Sequence, residues 1–208
     1  MGHRAVDYYP TPACAARALV ADIAKTCPDG LDVIIDPAAG RGALPHWMLD
    51  LDASWYLMEM CEDFKPDLER VGEKVIICDS LSKVWDPLTH VIANPPYGKH
   101  LEPFVQRIHQ HVRSYRTFGA VLMRLQWFDD GDDRHIRLRP DRILRLPWRV
   151  SYTGKGTPSE THCWAIWLPN PNRVTQTLWA ERPILSDADR DFHATMAGMH
   201  RNQLPLPF

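Results

Sequence analysis

The segment Asp32-Val33-Ile34-Ile35-Asp36 runs directly into Pro37-Ala38-Ala39-Gly40-Arg41-Gly42 and then into Ala43 to Asp50. This succession reads as an apolar strand, a small-residue turn and a short helix. An unbroken apolar run marks a strand buried on both faces, which is the position of a strand in a parallel sheet covered by helices. The rest of the chain repeats the alternation. Ser54 to Glu59, Lys74 to Cys78 and His90 to Ala93 read as further strands, with a helix at Asp63 to Arg70 between the first two. Leu101, Phe104, Val105, Ile108 and Val112 place an apolar stripe on a helix over Leu101 to Tyr115. Phe118 to Leu125, Arg142 to Leu146 and His162 to Leu168 supply three more strands. Upstream, Thr11 as N-cap and Pro12 in the first turn open an Ala-rich helix that runs to Lys25 and stops before Pro28-Asp29-Gly30. The predicted fold class is α/β: a doubly wound, seven-stranded, mostly parallel sheet that finishes as an antiparallel C-terminal hairpin at its edge.

With 208 residues, 45% of them hydrophobic, the chain is long enough for one sizeable core and short for two. Residues 1–169 are read as that domain. From about Asn170, Pro171, Pro183, Pro205 and Pro207 interrupt the apolar periodicity, so 170–208 is expected to be an irregular extension with one short helix near Asp187 to Met199. The formal charge of −2 excludes an indiscriminate coat for nucleic acid and leaves room for a locally basic groove. Cys14, Cys27, Cys61, Cys78 and Cys163 are odd in number and lack C-x-x-C spacing, which indicates neither a disulfide framework nor a zinc site and fits a reducing cytoplasm. No membrane association is expected, since there is no long apolar run and Met1-Gly2-His3-Arg4 does not open a signal peptide. No metal is expected either. His109 and His111 face different sides of their helix, and His162-Cys163 has no second pair to complete a site. Asp129, Asp130, Asp132 and Asp133 around Gly131 lack the spacing of a calcium loop and read as a solvated turn. The chain carries no signal for an oligomeric state.

Asn94-Pro95-Pro96-Tyr97 follows the apolar run Val91-Ile92-Ala93, so it stands at the carboxyl end of a strand, where ligands of open α/β sheets bind. An amino or amide nitrogen is a poor nucleophile while its lone pair is delocalised. Two acceptors that hold its hydrogens correct this, and Asn94 offers its side-chain oxygen while Pro95 offers its carbonyl. Pro95 and Pro96 fix two φ angles and hold Asn94 extended, so the acceptors are set before substrate arrives. Tyr97 adds a flat face for a base or amide to stack on. These four residues are the candidate catalytic set.

Asp36, Pro37, Ala38, Gly40 and Gly42 form a turn whose backbone can approach a ligand closely. Glu59, ending the second strand, is placed to accept from ribose hydroxyls. Asp79, with Ser80 beside it, follows the third strand and is placed to accept from an exocyclic adenine amine. Acids at successive strand ends favour a nucleoside-bearing cofactor.

These motifs resemble those of the class I S-adenosylmethionine-dependent methyltransferases, and among them the small phage-type DNA adenine-N6 methyltransferases, over roughly residues 7–168. Tyr8-Tyr9-Pro10-Thr11-Pro12 is similar to that family's N-terminal cofactor motif, Asp36 to Gly42 to its glycine-rich motif, and Asn94 to Tyr97 to its catalytic motif. Arg149 to Gly154, with Thr161-His162-Cys163-Trp164 and Trp167, is similar to its terminal hairpin. The resemblance implies S-adenosyl-L-methionine as cofactor, with Tyr9, Thr11 and Pro12 closing over its methionine moiety and Asn94 shared between cofactor and target. It also implies a nucleic-acid partner, DNA foremost, whose adenine is flipped out or presented by a single strand. The chain lacks room for a separate target-recognition domain. An RNA base methyltransferase, a protein glutamine methyltransferase and a non-catalytic nucleic-acid-binding scaffold are the alternatives.

Arg137, Arg139, Arg142 and Lys155, in a stretch with Arg145 and Arg149 where Asp141 is the one acid, are the candidate phosphate contacts. Trp127, just past the fifth strand, is a candidate for the substrate mouth.

Overall fold

The computed structural model describes residues 9–128, 133–152 and 160–202. Eight strands form one mixed sheet: β1 (Val33–Asp36), β2 (Ser54–Glu59), β3 (Lys74–Ile77), β4 (His90–Ala93), β5 (Gly119–Arg124), β6 (Arg142–Arg145), β7 (His162–Trp167) and β8 (Gln176–Trp179). Their order is β3-β2-β1-β4-β5-β7-β6-β8. Only β7 runs against its neighbours: it is antiparallel to both β5 and β6, whereas β8 is parallel to β6. The helices are α1 (Ala13–Thr26), α2 (Ala43–Trp47), α3 (Lys65–Leu68), α4 (Leu101–Tyr115), α5 (Arg134–Arg137) and α6 (Asp187–Asn202).

The apolar strands divide their side chains between two buried layers, as a period of two requires. Ile34, Leu57, Leu122, Trp164 and Ile166 pack on one side with α1 and α2. Ile35, Met58, Val121, Met123, Ala165 and Trp167 pack on the other with the stripe of α4. Two indole groups carried into the α1-side layer find backbone acceptors. Trp164 Nε1 donates to the Ala15 carbonyl at 2.9 Å and Trp47 Nε1 to that of Thr11 at 3.0 Å. Buried N–H groups left without such partners would each cost roughly 1–3 kcal/mol.

Several expectations need correction. The sheet has eight strands rather than seven, because Gln176–Trp179 adds β8, and the antiparallel strand is not an edge hairpin partner but is enclosed between β5 and β6. A buried carboxylate makes this possible: Asp141 accepts from Arg113 at 2.9 Å, from the Leu168 amide at 2.8 Å and from the Asn172 amide at 2.7 Å. Those bonds turn the chain after β7 back along β6. The N-cap of α1 is Pro12, not Thr11, with no side-chain capping bond, since Thr11 is buried and its carbonyl serves Trp47. The helix expected to Asp50 stops at Trp47 and gives way to a 3-10 turn over Leu49–Leu51. Trp127 is buried in the α4-side layer, with Arg134 over its ring at 4.9 Å.

Beyond β8, α6 folds back over the α1 and α2 layer. Arg17 makes a two-pronged ion pair with Asp189 at 2.8 and 2.9 Å, and Phe192 stacks on His46 with centroids 3.8 Å apart. Among the described residues no helix is long and apolar enough to cross a membrane.

Candidate functional site

The strand order changes direction between β1 and β4, and the register sets Ile34 beside His90 and Ile35 beside Val91. Strands β1 to β5 are parallel, so Asp36, Glu59, Asn94 and Arg124 all emerge at one edge of the sheet. His162 reaches the same edge from the start of antiparallel β7, where it pairs with Arg124. This edge at the switch point is where an open α/β sheet leaves a crevice for a ligand.

On the β1 side the turn is held by backbone bonds. Gly40 and Gly42 have φ of 55° and 82°, values that side-chain-bearing residues rarely adopt. A Cβ on Gly42 would lie 2.6 Å from Val71 Cγ2, so glycine is also required sterically. The Ala39 amide donates to the Met58 carbonyl at 3.0 Å, which fastens the turn to β2. Glu59 accepts from the Gly40 amide at 2.8 Å and from the Met60 and Cys61 amides at 2.8 and 2.9 Å. Arg41 is buried, paired with Asp67 and lying over the Phe64 ring, so the arginine of the turn braces α3. Ser80 is buried, and its hydroxyl donates to the Pro37 carbonyl at 2.6 Å, tying the end of β3 to the turn. Asp79 is exposed and caps the 3-10 turn that follows by accepting from the Leu81 amide at 3.1 Å.

Burial pushes the Asp36 carboxyl up to about 8, against the pull of the Ala38 amide and with help from Glu59 nearby. Burial likewise raises Glu59, although three amides pull it down. None of the groups acting on Asp36 is cationic.

On the β4 side the side chains hold one another. Asn94 Nδ2 donates to the Tyr9 carbonyl at 3.1 Å, which brings the segment from Tyr9 to Pro12 against the motif and fixes which amide atom faces which way. Asn94 Oδ1 accepts from the Tyr97 hydroxyl at 3.2 Å, and the Tyr97 and Tyr152 hydroxyls are bonded to each other. Pro95 is buried and Pro96 exposed. The Tyr152 ring packs edge-on against Tyr9 at 5.8 Å and His162 at 5.4 Å, with Arg124 over the Tyr97 ring at 5.7 Å. Burial raises both phenols, so both are protonated at neutral pH. It pushes His162 down to about 4, which leaves a neutral imidazole.

The basic stretch is dispersed. Arg142 pairs with Asp22 at 3.4 Å and bonds Thr26 on α1, and Arg139 donates to the Asn172 carbonyl at 2.8 Å. Arg137 is half-exposed, paired with Asp133 at 2.5 Å and Glu102 at 3.6 Å. Lys155 and most of the acidic turn around Gly131 lie outside the described residues. Among the described residues no group of three or more His, Cys, Asp or Glu side chains is arranged to hold a metal ion. Tyr152 and His162 were not singled out as site residues by sequence. Their only signal was the similarity of 149–154 and 161–164 to a terminal hairpin.

No family model and no curated protein matches the chain. Solved structures do. A proposed RNA methyltransferase from Pyrococcus horikoshii superposes with a TM-score of 0.50 at 22% identity, over 61% of this chain and 69% of that one. A protein from Thermoplasma acidophilum superposes with a TM-score of 0.53 at 18% identity, over 74% of this chain and 88% of that one. At such identities the likeness concerns architecture: the chain carries the α/β Rossmann-like methyltransferase fold with an eight-stranded mixed sheet.

Proposed function

We propose that this chain is an N-methyltransferase that uses S-adenosylmethionine to methylate the exocyclic amine of a nucleic-acid base, adenine N6 in DNA first among them. The observation that supports this reading is the Asn94 amide, clamped at the switch point with its nitrogen on the Tyr9 carbonyl, so that its oxygen, now accepting from the Tyr97 hydroxyl, is the acceptor end of the group.

The residues of the β1 side fit the cofactor. A buried carboxyl pushed up to about 8 with no cation acting on it is relieved by a ligand that brings positive charge. The free lone pairs of Glu59 suit ribose hydroxyls, and the exposed Asp79 carboxylate suits an adenine amine. When bound, S-adenosylmethionine supplies an electrophilic methyl group on a cationic sulfur. The protein's part is positioning, worth up to several kcal/mol. Asn94 Oδ1 and the Pro95 carbonyl hold the amine hydrogens and favour a pyramidal nitrogen, and Tyr97 provides the face against which the base stacks. The transferase unit is residues 1–169, to which the following segment adds β8 and α6. Among the described basic candidates, Arg137 is the most exposed, paired with Asp133 and Glu102 at the surface, and is the one proposed to exchange those partners for a phosphate, since Arg139 and Arg142 are engaged within the fold.

An RNA base is the second reading, favoured by the description of the Pyrococcus horikoshii neighbour as an RNA methyltransferase. Incubation with methyl-labelled cofactor and, separately, duplex DNA, single-stranded DNA, RNA and protein extract distinguishes the two. Label recovered in N6-methyladenine from DNA supports the first reading, and label in RNA alone replaces it with the second. Label in protein alone, or none anywhere, removes both.

A further inference from the structure

Resting on the amine-methylation reading, we propose that Tyr152 is a positioning residue: its hydroxyl holds the Tyr97 phenol on the Asn94 amide oxygen, the incoming amine displaces that phenol, and His162 receives it.

A chain of two hydroxyls ends on the acceptor that the amine needs. Tyr97 has one hydroxyl hydrogen and gives it to Asn94 Oδ1 at 3.2 Å, so the bond between the phenols is donated by Tyr152. The direction runs Tyr152 to Tyr97 to Asn94, and Asn94 cannot turn away because its Nδ2 is bonded to the Tyr9 carbonyl. An oxygen already accepting from a phenol is a poorer acceptor for a second N–H, and the phenol fills the space beside it. An amine that takes this oxygen as its acceptor competes with the Tyr97 phenol for it, and the phenol gives way.

A displaced, buried hydroxyl needs a new partner, since leaving one unmet is costly. His162 answers that need. It is buried, and among the described residues neither of its ring nitrogens makes a properly directed hydrogen bond; the Glu160 backbone lies near enough to influence the ring but does not complete one. The ring sits against both phenols, with centroids 6.1 Å from Tyr97 and 5.4 Å from Tyr152. A neutral imidazole always offers one acceptor nitrogen and one N–H, so it can take either hydroxyl as partner. Ser151, next to Tyr152, is itself anchored: its carbonyl bonds the His193 ring on α6 at 3.2 Å. That bond ties the backbone beside Tyr152 to α6.

Equilibrium binding of a fluorescent single-stranded oligodeoxynucleotide containing one adenine, measured with S-adenosylhomocysteine present so that no turnover occurs, tests the exchange. Tyr152→Phe retains the ring and removes the donor, and is expected to bind the oligonucleotide about threefold to tenfold more tightly than wild type. His162→Phe is expected to bind about fivefold more weakly, with His162→Gln recovering most of the loss. A merely structural role predicts weaker binding for both substitutions and no rescue. Should Tyr152→Phe be unstable, Tyr97→Phe removes the same bond and is expected to tighten binding in the same sense. Binding by Tyr152→Phe equal to or weaker than wild type overturns the proposal, and if wild type still transfers label to a base, the functional reading survives that result. Failure of wild type to bind adenine-containing DNA or RNA of any kind removes both.

Discussion

The two sides of the β1–β4 junction hold their polar groups by different means. On the β1 side, Glu59 is gripped by the amides of Gly40, Met60 and Cys61, and Asp36 by that of Ala38. These donors come from residues close to the acids in sequence or on the adjoining turn, and they are rigid because backbone is rigid. On the β4 side, Asn94 is held by Tyr9 and Tyr97, and Tyr97 by Tyr152, across sequence separations of 85 and 55 residues for the two long-range bonds. Side chains held by other side chains can exchange partners at modest cost, whereas a carboxylate in a cradle of amides cannot. The contrast suits a protein that binds one invariant ligand in a fixed cradle and admits a second, larger one by rearrangement.

The largest expected effect separates the two sides outright. Asn94→Ala is expected to lower methyl transfer at least ~100-fold while S-adenosylmethionine affinity stays within about threefold, read by label transfer and by calorimetry on the same preparation. Turnover within about tenfold of wild type would mean that Asn94 does not hold the amine. Gly42→Ala probes the rigid side. Its φ of 82° and the 2.6 Å approach to Val71 predict a loss of about 1–3 kcal/mol in denaturant unfolding, together with weaker cofactor binding.

The buried acid of the rigid side gives a pH signature. The Asp36 carboxyl stands near 8 in the fold against 3.8 as its ordinary value, so the folded state takes up a proton that the unfolded chain releases. Its stabilising contribution is full below about 3.8 and is lost as pH rises to about 8. Asp36→Asn is expected to flatten the fall in stability across that window, and an unchanged pH profile would show that Asp36 is ionised and solvated. The smallest effect concerns the surface: Arg137→Ala is expected to reduce the salt slope of DNA binding by about one and to leave cofactor affinity alone.

The same contrast explains what could be read from the chain. Strands β1, β4, β5 and β7 are largely buried on both faces and announced themselves as apolar runs; Asp36 and Asn94 were legible because each stands at the end of such a run, and Glu59 because it ends the half-buried β2. Strand β8 was not, since all four of its residues are exposed and Gln176-Thr177-Leu178-Trp179 has no buried face to impose a pattern. Thr11 was misassigned as a cap because its burial beside Trp47 is a tertiary fact. Arg139 and Arg142 looked like a basic surface in one dimension, while their partners, Asn172, Asp22 and Thr26, are distant in sequence. Tyr152 and His162 join Asn94 only through the antiparallel return of β7, and neither residue carries a local signal for that.

The central claim is that the sheet edge at the β1–β4 junction binds a cationic methyl donor beside a preset amide. Calorimetric titration of S-adenosylmethionine into wild type and Asn94→Ala at pH 8, where Asp36 is about half ionised, tests it most directly. The account predicts saturable binding to both proteins with affinities within about threefold of each other, and tighter binding at pH 8 than at pH 6 as the carboxylate forms. No saturable binding to wild type at either pH would contradict it.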